Sequence, residues 1–162
     1  MKVEQLMTRA VKVCTEGDTL NRAAQLMWEF DCGCIPVISA DGDGRLVGVV
    51  TDRDIAMAAY TQGKQLWAIP VGMVMARKVI ACQVNDGISQ AEALMRDNRV
   101  RRLPVTDKND HLIGIISLND VAREAQREAV SGKRAEVTSQ GVSETLASIC
   151  EPQTARELTV AA

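Results

Sequence analysis

An internal repeat constrains this chain more than any other feature. When the sequence is shifted by 68 residues against itself, a long series of identical or similar residues comes into register. After a two-residue difference in the turn that follows Pro36-Val37 and Pro104-Val105, the match continues at a shift of 66. The matched pairs include Met7 and Met75, Val11 and Val79, Cys14 and Cys82, Asp18 and Asp86, Ala23 and Ala91, Leu46 and Leu112, and Thr51 and Ser117. The fold must therefore be built from two copies of one unit, which fill residues 1–125.

Each copy carries the same order of local signals, β-α-β-β-α. A β-branched run at 11–13 or 79–81 predicts a first strand, and Asp18-Thr19 or Asp86 predicts the start of a helix capped by a carboxylate. Two further short strands, at 35–38 and 46–50 in the first copy, flank the turn-rich segment 41–44. A second helix is expected to begin after Thr51 or Ser117. The sequence therefore predicts an α+β fold with two pseudo-symmetric units.

A unit of about 55 residues buries too little apolar surface to be stable alone, so we expect the two units to pack as one module. The predicted organisation is a first unit at 1–60, a linker at 61–70, a second unit at 71–127 and a C-terminal tail at 128–162. The tail shows a break at 131–134 and a short predicted helix from Ser143 to Cys150, with Ser143 as its cap and Pro152 as its stop.

The bulk composition narrows the function classes. A formal charge of −2 and few aromatic side chains argue against nucleic acid and against an anionic membrane surface as partners. No apolar run reaches the roughly 18–20 residues that span a bilayer, and the amino terminus lacks a signal-peptide pattern, so we expect a cytoplasmic protein. The odd number of cysteines, five, favours reduced thiols over a disulfide framework.

Two segments resemble a known repeat. They are Leu-Val-Gly-Val-Val-Thr-Asp-Arg-Asp-Ile at 46–55 and Leu-Ile-Gly-Ile-Ile-Ser-Leu-Asn-Asp-Val at 112–121, each preceded by a hydrophobic-Pro-Val tripeptide. Together they resemble the tandem cystathionine-β-synthase (CBS) domain pair, or Bateman module, of the free-standing bacterial type. The resemblance covers about three-quarters of the chain and implies a non-catalytic regulatory module. It also implies an adenine nucleotide (AMP, ADP, ATP or a related adenosyl ligand) bound between the repeats, and a homodimer formed through the helices.

The resemblance further implies two ligand sites. One would combine Thr51, Arg53 and Asp54 with Val79, Ile80, Arg101, Arg102, Leu103 and Pro104. The other would combine Ser117, Asn119 and Asp120 with Val11, Gly33, Cys34, Ile35 and Pro36.

The residue types suit this role. A hydroxyl at a helix start lies beside free N–H groups that bind phosphate, a carboxylate accepts ribose hydroxyls, and paired arginines grip phosphate oxygens. Gly33 and Cys34 stand where the first site has Arg101 and Arg102, so we expect the second site to bind phosphate more weakly or to stay empty.

Plainer interpretations of the same residues stay open. Asp54 and Asp120 are also ordinary helix-capping residues, and the arginines around 96–102 also suit a solvated basic face. The segment 41–44 lacks the further ligands of a calcium loop, and Cys32-x-Cys34 lacks partners for zinc, so no metal site is predicted. No catalytic motif is present, and no enzyme is predicted.

Three function hypotheses follow. The first is a sensor in which an adenine nucleotide bridges the repeats and shifts the shape or assembly of the module. The second is a ligand-free dimerisation or docking module that recognises another protein, whose identity the sequence does not indicate. The third is a thiol-based stress responder that uses Cys32 and Cys34.

Overall fold

The computed structural model describes residues 1–131 and 135–151. The first repeat contains β1 (Cys14–Thr15), α1 (Leu20–Glu29), β2 (Cys34–Ile38), β3 (Leu46–Thr51) and α2 (Asp52–Gln62). The second contains β4 (Cys82–Gln83), α3 (Ile88–Asp97), β5 (Arg102–Thr106), β6 (Leu112–Ser117) and α4 (Leu118–Ser131). Helix α5 (Ser139–Cys150) follows, and short 3-10 turns lie at Val3–Gln5, Leu66–Ala68 and Val71–Met73. The predicted α+β class with two β-α-β-β-α repeats is confirmed.

Each repeat folds into one three-stranded sheet with the same connectivity. Strand β2 lies between β1, which runs parallel to it, and β3, which runs antiparallel to it. The second sheet repeats this order with β4, β5 and β6. The register also repeats, since Cys34 pairs with Thr51 and Arg102 pairs with Ser117. The two copies in the sequence are therefore two copies of one structure.

The first strand of each repeat lies later in the chain than predicted. The β-branched runs at 11–13 and 79–81 form no ladder, and the strands are instead Cys14–Thr15 and Cys82–Gln83. β-Branched residues favour an extended backbone, but a strand also needs a neighbour to pair with. In the first repeat, Cys14 and Thr15 have that neighbour in Val37 and Ile38 of β2.

The helix starts also differ from the prediction in detail. Asp18 does not cap α1; its carboxylate accepts the Thr15 N–H at 2.7 Å and closes the turn before the helix, while Thr19 is the N-cap. Asp86 likewise accepts the Gln83 N–H at 2.8 Å, and Gly87 precedes α3. These aspartates close the turn between strand and helix and do not accept the N–H groups of the helix's first turn. Helices α2 and α4 begin directly after Thr51 and Ser117, as predicted.

The opening segments of the two repeats are exchanged. Val3 donates its N–H to Asp86 O at 2.9 Å and packs in the second core, while the equivalent Val71 donates to Asp18 O at 2.7 Å and packs in the first. The exchange extends to Thr8, which pairs with Ile115 in both directions, as Ala76 does with Val49. Each core is therefore completed by a segment from the other side of the linker, and the two repeats form one body.

The tail helix differs from its prediction. Helix α5 begins at Ser139, with Thr138 as the N-cap whose side chain accepts the Gly141 N–H at 3.1 Å. Ser143, predicted as the cap, lies within the helix, because Thr138, five residues earlier, already caps it. The predicted break at 131–134 and the predicted stop at Pro152 fall largely or wholly outside the described residues. Helix α5 packs against α3 and α4.

Candidate functional site

Two cavities lie between the repeats, one beside each of the helix starts at Thr51 and Ser117. The first cavity has a volume of about 530 Å³ and lies beside the start of α2. The second has a volume of about 450 Å³ and lies beside the start of α4. Each is lined by the helix start of one repeat and by the strand β2 or β5 of the other.

Most residues predicted for the first site line the first cavity. They are Thr51, Arg53, Asp54, Ile80, Arg101, Arg102 and Pro104. Two predicted residues do not line it: Val79 precedes the lining residue Ile80, and Leu103 is fully buried with its side chain in the second core. In a β-strand successive side chains point to opposite faces, so Leu103 cannot share the cavity face with its neighbours Arg102 and Pro104.

The second cavity gathers most residues of the second predicted site. They are Val11, Cys34, Ile35, Ser117, Asn119 and Asp120. Pro36 is buried in β2 and does not line it. Gly33 lies in the first cavity instead, where a Cβ at this position would come within 2.7 Å of Asp52 Oδ2. Gly33 thus leaves room for the Asp52 carboxylate at the start of α2.

The prediction missed several cations. Lys78 and Arg99 also line the first cavity, and Lys12 and Arg123 line the second. Arg102 lines both. Lys12 and Lys78 sit in segments whose position between the repeats depends on the exchange, which local sequence patterns do not reveal. Arg123 follows Asp120 by three residues on a helix, so i, i+3 spacing was the signal that would have found it.

The start of α2 is held by a reciprocal pair. The Thr51 N–H and hydroxyl both donate to Asp54 Oδ2, at 2.8 and 2.7 Å, and the Asp54 N–H donates to Thr51 Oγ1 at 3.2 Å. This capping box fixes the rotamer of the carboxylate. Among the described residues, both hydrogen bonds that the carboxylate accepts reach Oδ2, which leaves Oδ1 uncommitted at the cavity.

The start of α4 has the same capping box, but the second oxygen of its carboxylate has a different partner. The Ser117 N–H donates to Asp120 Oδ2 at 2.8 Å and its hydroxyl donates to the same oxygen at 2.5 Å. The Arg123 guanidinium then binds Asp120 Oδ1. Asp54 has Met57 at the position of Arg123, so this difference arises from one substitution between the repeats.

The charges of the cavities differ as well. The first cavity is lined by five cationic side chains and two carboxylates, those of Asp52 and Asp54. The second is lined by three cationic side chains and two carboxylates, those of Asp31 and Asp120. In the second, the Lys12 ammonium lies 4.4 Å from the centroid of the Phe30 ring. The first cavity is therefore the more favourable environment for a polyanion.

The thiols near the cavities have contrasting exposure. Cys32 is half-buried and Cys34 is buried, and both line the second cavity. Burial raises the pKa of the Cys34 thiol to about 11, which keeps it protonated and weakly nucleophilic at neutral pH. All five cysteines lie in the described part of the chain, and none forms a disulfide.

Within residues 1–131 and 135–151, no three His, Cys, Asp or Glu side chains gather in a way that would hold a metal ion. In the same residues, no helix has the length and apolarity needed to cross a bilayer.

Comparison with known protein families shows which family the chain belongs to. The family model described as "CBS domain" matches residues 3–60 and again residues 71–127. The chain belongs to the CBS domain family. Its two CBS repeats account for both cavities, since each cavity uses side chains from both matched segments.

Known CBS proteins resemble the chain over most of its length. The CBS domain-containing protein YhcV of Bacillus subtilis is 37% identical over 120 residues, which is 74% of this chain and 82% of the relative. A solved CBS domain protein from Pyrobaculum aerophilum, complexed with AMP, is 25% identical with a TM-score of 0.71 and covers 82% of this chain and 100% of its own. The structure of CBSX2 in complex with AMP is 27% identical with a TM-score of 0.69, covering 79% and 98%.

Proposed function

We propose that this CBS pair is a non-catalytic sensor that binds an adenine nucleotide, AMP, ADP or ATP, in the first cavity. The observation that carries the proposal is the Asp54 carboxylate, whose Oδ2 is held by Thr51 and which lines a cavity rich in cations. The AMP complexes of two similar CBS proteins support the choice of ligand class.

Each part of the nucleotide has a matching group. The ribose hydroxyls donate to Asp54 Oδ1, in hydrogen bonds to a charged acceptor that contribute about 1.5–3 kcal/mol each. The phosphate binds the guanidinium groups of Arg101 and Arg102, which line the same cavity as Asp54. The base lies against the apolar surface of Ile80, Val100 and Pro104.

We propose that the second cavity binds the nucleotide more weakly. Arg123 occupies the Asp120 oxygen that the ribose would need, so a ligand must first displace an internal ion pair. Fewer cations also line this cavity, although Lys12 and Arg102 are among them. The weaker binding proposed for the second cavity thus follows mainly from Arg123, which has no equivalent arginine in the first repeat.

Thermal unfolding with AMP, ADP, ATP and, as a base control, GMP tests the proposal. A ligand that binds only the folded state stabilises it by about 2.7 kcal/mol at a hundredfold excess over its dissociation constant. We expect a rise in Tm of several degrees with at least one adenine nucleotide and a smaller rise with GMP. No rise with any adenine nucleotide, or an equal rise with Asp54→Ala, would overturn the proposal.

We further propose a cytoplasmic homodimer. The free thiols suit a reducing compartment, and the large exposed apolar side chains on α1 and α2, Trp28 and Tyr60, suit a protein contact. These side chains also favour the second candidate function, a docking module. The two functions are compatible, because Trp28 and Tyr60 do not line the cavity that would hold the ligand.

A further inference from the structure

The two cavities share part of their lining. Of the described residues, only Cys34 on β2 and Arg102 on β5 line both cavities. The two residues occupy equivalent positions in the repeats, since the shift of 68 places Cys34 on Arg102. Burial raises the pKa of the Cys34 thiol to about 11, so this side chain is neutral near pH 7. The boundary between the cavities therefore carries one cation at two equivalent positions.

The Arg102 guanidinium lies at this boundary. Its Nη1 atom is 3.7 Å from the position that a Cβ on Gly33, a first-cavity residue, would take. Its charge also acts on the Cys34 thiol, where it partly offsets the rise in pKa caused by burial. The guanidinium forms no ion pair with another described residue, whereas Arg99 and Arg123 are each held by a carboxylate. Arg102 is therefore a half-buried cation that a phosphate in either cavity can engage.

We propose that the two cavities share Arg102 and are negatively coupled through it, so that a nucleotide phosphate bound in one cavity withdraws the guanidinium from the other. A guanidinium presents its donors as one planar fork, which fits a single phosphate bidentately. Charges at a half-buried position are screened less by salt than charges in open solvent. The phosphate that lacks Arg102 therefore meets the other phosphate without a cation between them. The inference rests on the nucleotide proposed above and adds a link between its two sites.

Methyl NMR of isoleucine-labelled protein, titrated with AMP, reads the two cavities separately. Ile80 lines only the first cavity and Ile115 lines only the second. The double variant Asp54→Asn/Arg101→Met, called the first-cavity variant, removes two charged groups that line the first cavity alone. Its second cavity then fills while the first is still largely empty. We expect the AMP dissociation constant reported by Ile115 to be at least about fivefold lower than in the wild type, where the first cavity is already occupied.

Repeating the comparison in an Arg102→Met background tests whether Arg102 carries the coupling. Without the shared guanidinium, the first-cavity variant is expected to change the dissociation constant reported by Ile115 by less than about twofold. Arg102→Gln gives the same expectation and replaces Arg102→Met if that variant does not fold. Arg53→Met is the matched control, because Arg53 lines only the first cavity. In the Arg53→Met background the difference of about fivefold is expected to remain.

The outcomes separate the coupling from the nucleotide site. A wild type in which AMP shifts Ile80, with an Ile115 dissociation constant that is unchanged or higher in the first-cavity variant, would overturn the coupling alone. A coupling that persists in Arg102→Met would show direct repulsion between the phosphates and overturn the role of Arg102. No AMP-dependent shift at either isoleucine would sink the nucleotide and the coupling together.

Discussion

Arg123 binds Asp120 Oδ1 at the start of α4, whereas the helix that carries the equivalent carboxylate, Asp54, has Met57 at the position of Arg123. The two repeats thus share one capping box and differ in what holds its second oxygen. A pseudo-symmetric pair of cavities becomes chemically asymmetric through a single side chain. This asymmetry leads to different expectations for the two cavities.

Arg123→Met copies the first repeat into the second and is expected to strengthen nucleotide binding in the second cavity. Freeing Asp120 Oδ1 restores one hydrogen bond to a charged acceptor, which corresponds to about a tenfold gain in affinity. Titration calorimetry with AMP measures it as a tighter second binding event. Arg22→Met, at an exposed position of α1 and outside both cavities, is the control. A weaker second binding event in Arg123→Met would contradict this expectation, because it would show that Arg123 contributes to ligand binding.

Glu151→Gln is expected to tighten AMP binding in the first cavity. Arg99, which lines that cavity, is bound to Glu151 Oε2 at the end of α5 with a distance of 3.4 Å. An exposed pair of this kind contributes about 0–1 kcal/mol, so the gain is at most about fivefold. Calorimetry compares it with Glu144→Gln, a change on the same helix away from the cavity. Weaker binding in Glu151→Gln would contradict competition between this carboxylate and the phosphate.

We expect Glu92 to make the stability of the module depend on pH. Burial under α5 raises the pKa of this carboxyl above its ordinary value near 4.5, and Oε1 has no hydrogen-bond partner among the described residues. A raised folded-state pKa means that the protonated form stabilises the fold below the ordinary value and that this contribution is lost as the pH rises through the raised value. The Tm of Glu92→Gln is therefore expected to rise relative to that of the wild type as the pH increases from about 4 towards neutral.

The control for this pH series is Glu144→Gln, which alters an exposed carboxylate of α5. Its Tm is expected to stay parallel to that of the wild type. A wild type and a Glu92→Gln variant with parallel Tm profiles would show that Glu92 does not titrate on folding.

Val3→Ala tests the exchange of opening segments. Val3 is fully buried in the core of the second repeat, so its truncation is expected to cost about 1–3 kcal/mol of unfolding free energy, as for other buried aliphatic truncations. Val130→Ala, at an 85% exposed position, changes it by less than about 0.5 kcal/mol. Denaturant unfolding measures both. Equal, small effects would mean that residues near the amino terminus do not complete the second core.

Much of the fold was predictable because it depends on local patterns that occur twice. Thr51 and Ser117 mark helix starts by their own side chains, and the flanking apolar runs mark strands without knowledge of the partner strand. The position of β1 was not predictable in this way, since it depends on the edge that Val37 offers. The prediction that α5 begins at Ser143 is too late, because Thr138 provides an earlier capping hydroxyl.

The cavity linings were predictable to a similar extent. Asp54 and Arg102 belong to the repeated motif and its strand, so the resemblance could place them. Lys78 and Lys12 could not be placed by pattern alone, because their segments cross between the repeats only through the exchange that Val3 and Val71 reveal. The covering of one helical face by α5 is likewise a tertiary event with no local signal.

The most direct test of the account is the affinity for AMP of the wild type, Asp54→Asn and Asp120→Asn, measured by titration calorimetry. Asparagine still accepts the Thr51 N–H, so the helix start is kept while the charge that binds the ribose is lost. We predict one strong AMP site per chain, at least about tenfold weaker in Asp54→Asn and changed by less than about twofold in Asp120→Asn. Equal affinity of Asp54→Asn and the wild type, or a loss confined to Asp120→Asn, would contradict the placement of the nucleotide in the first cavity.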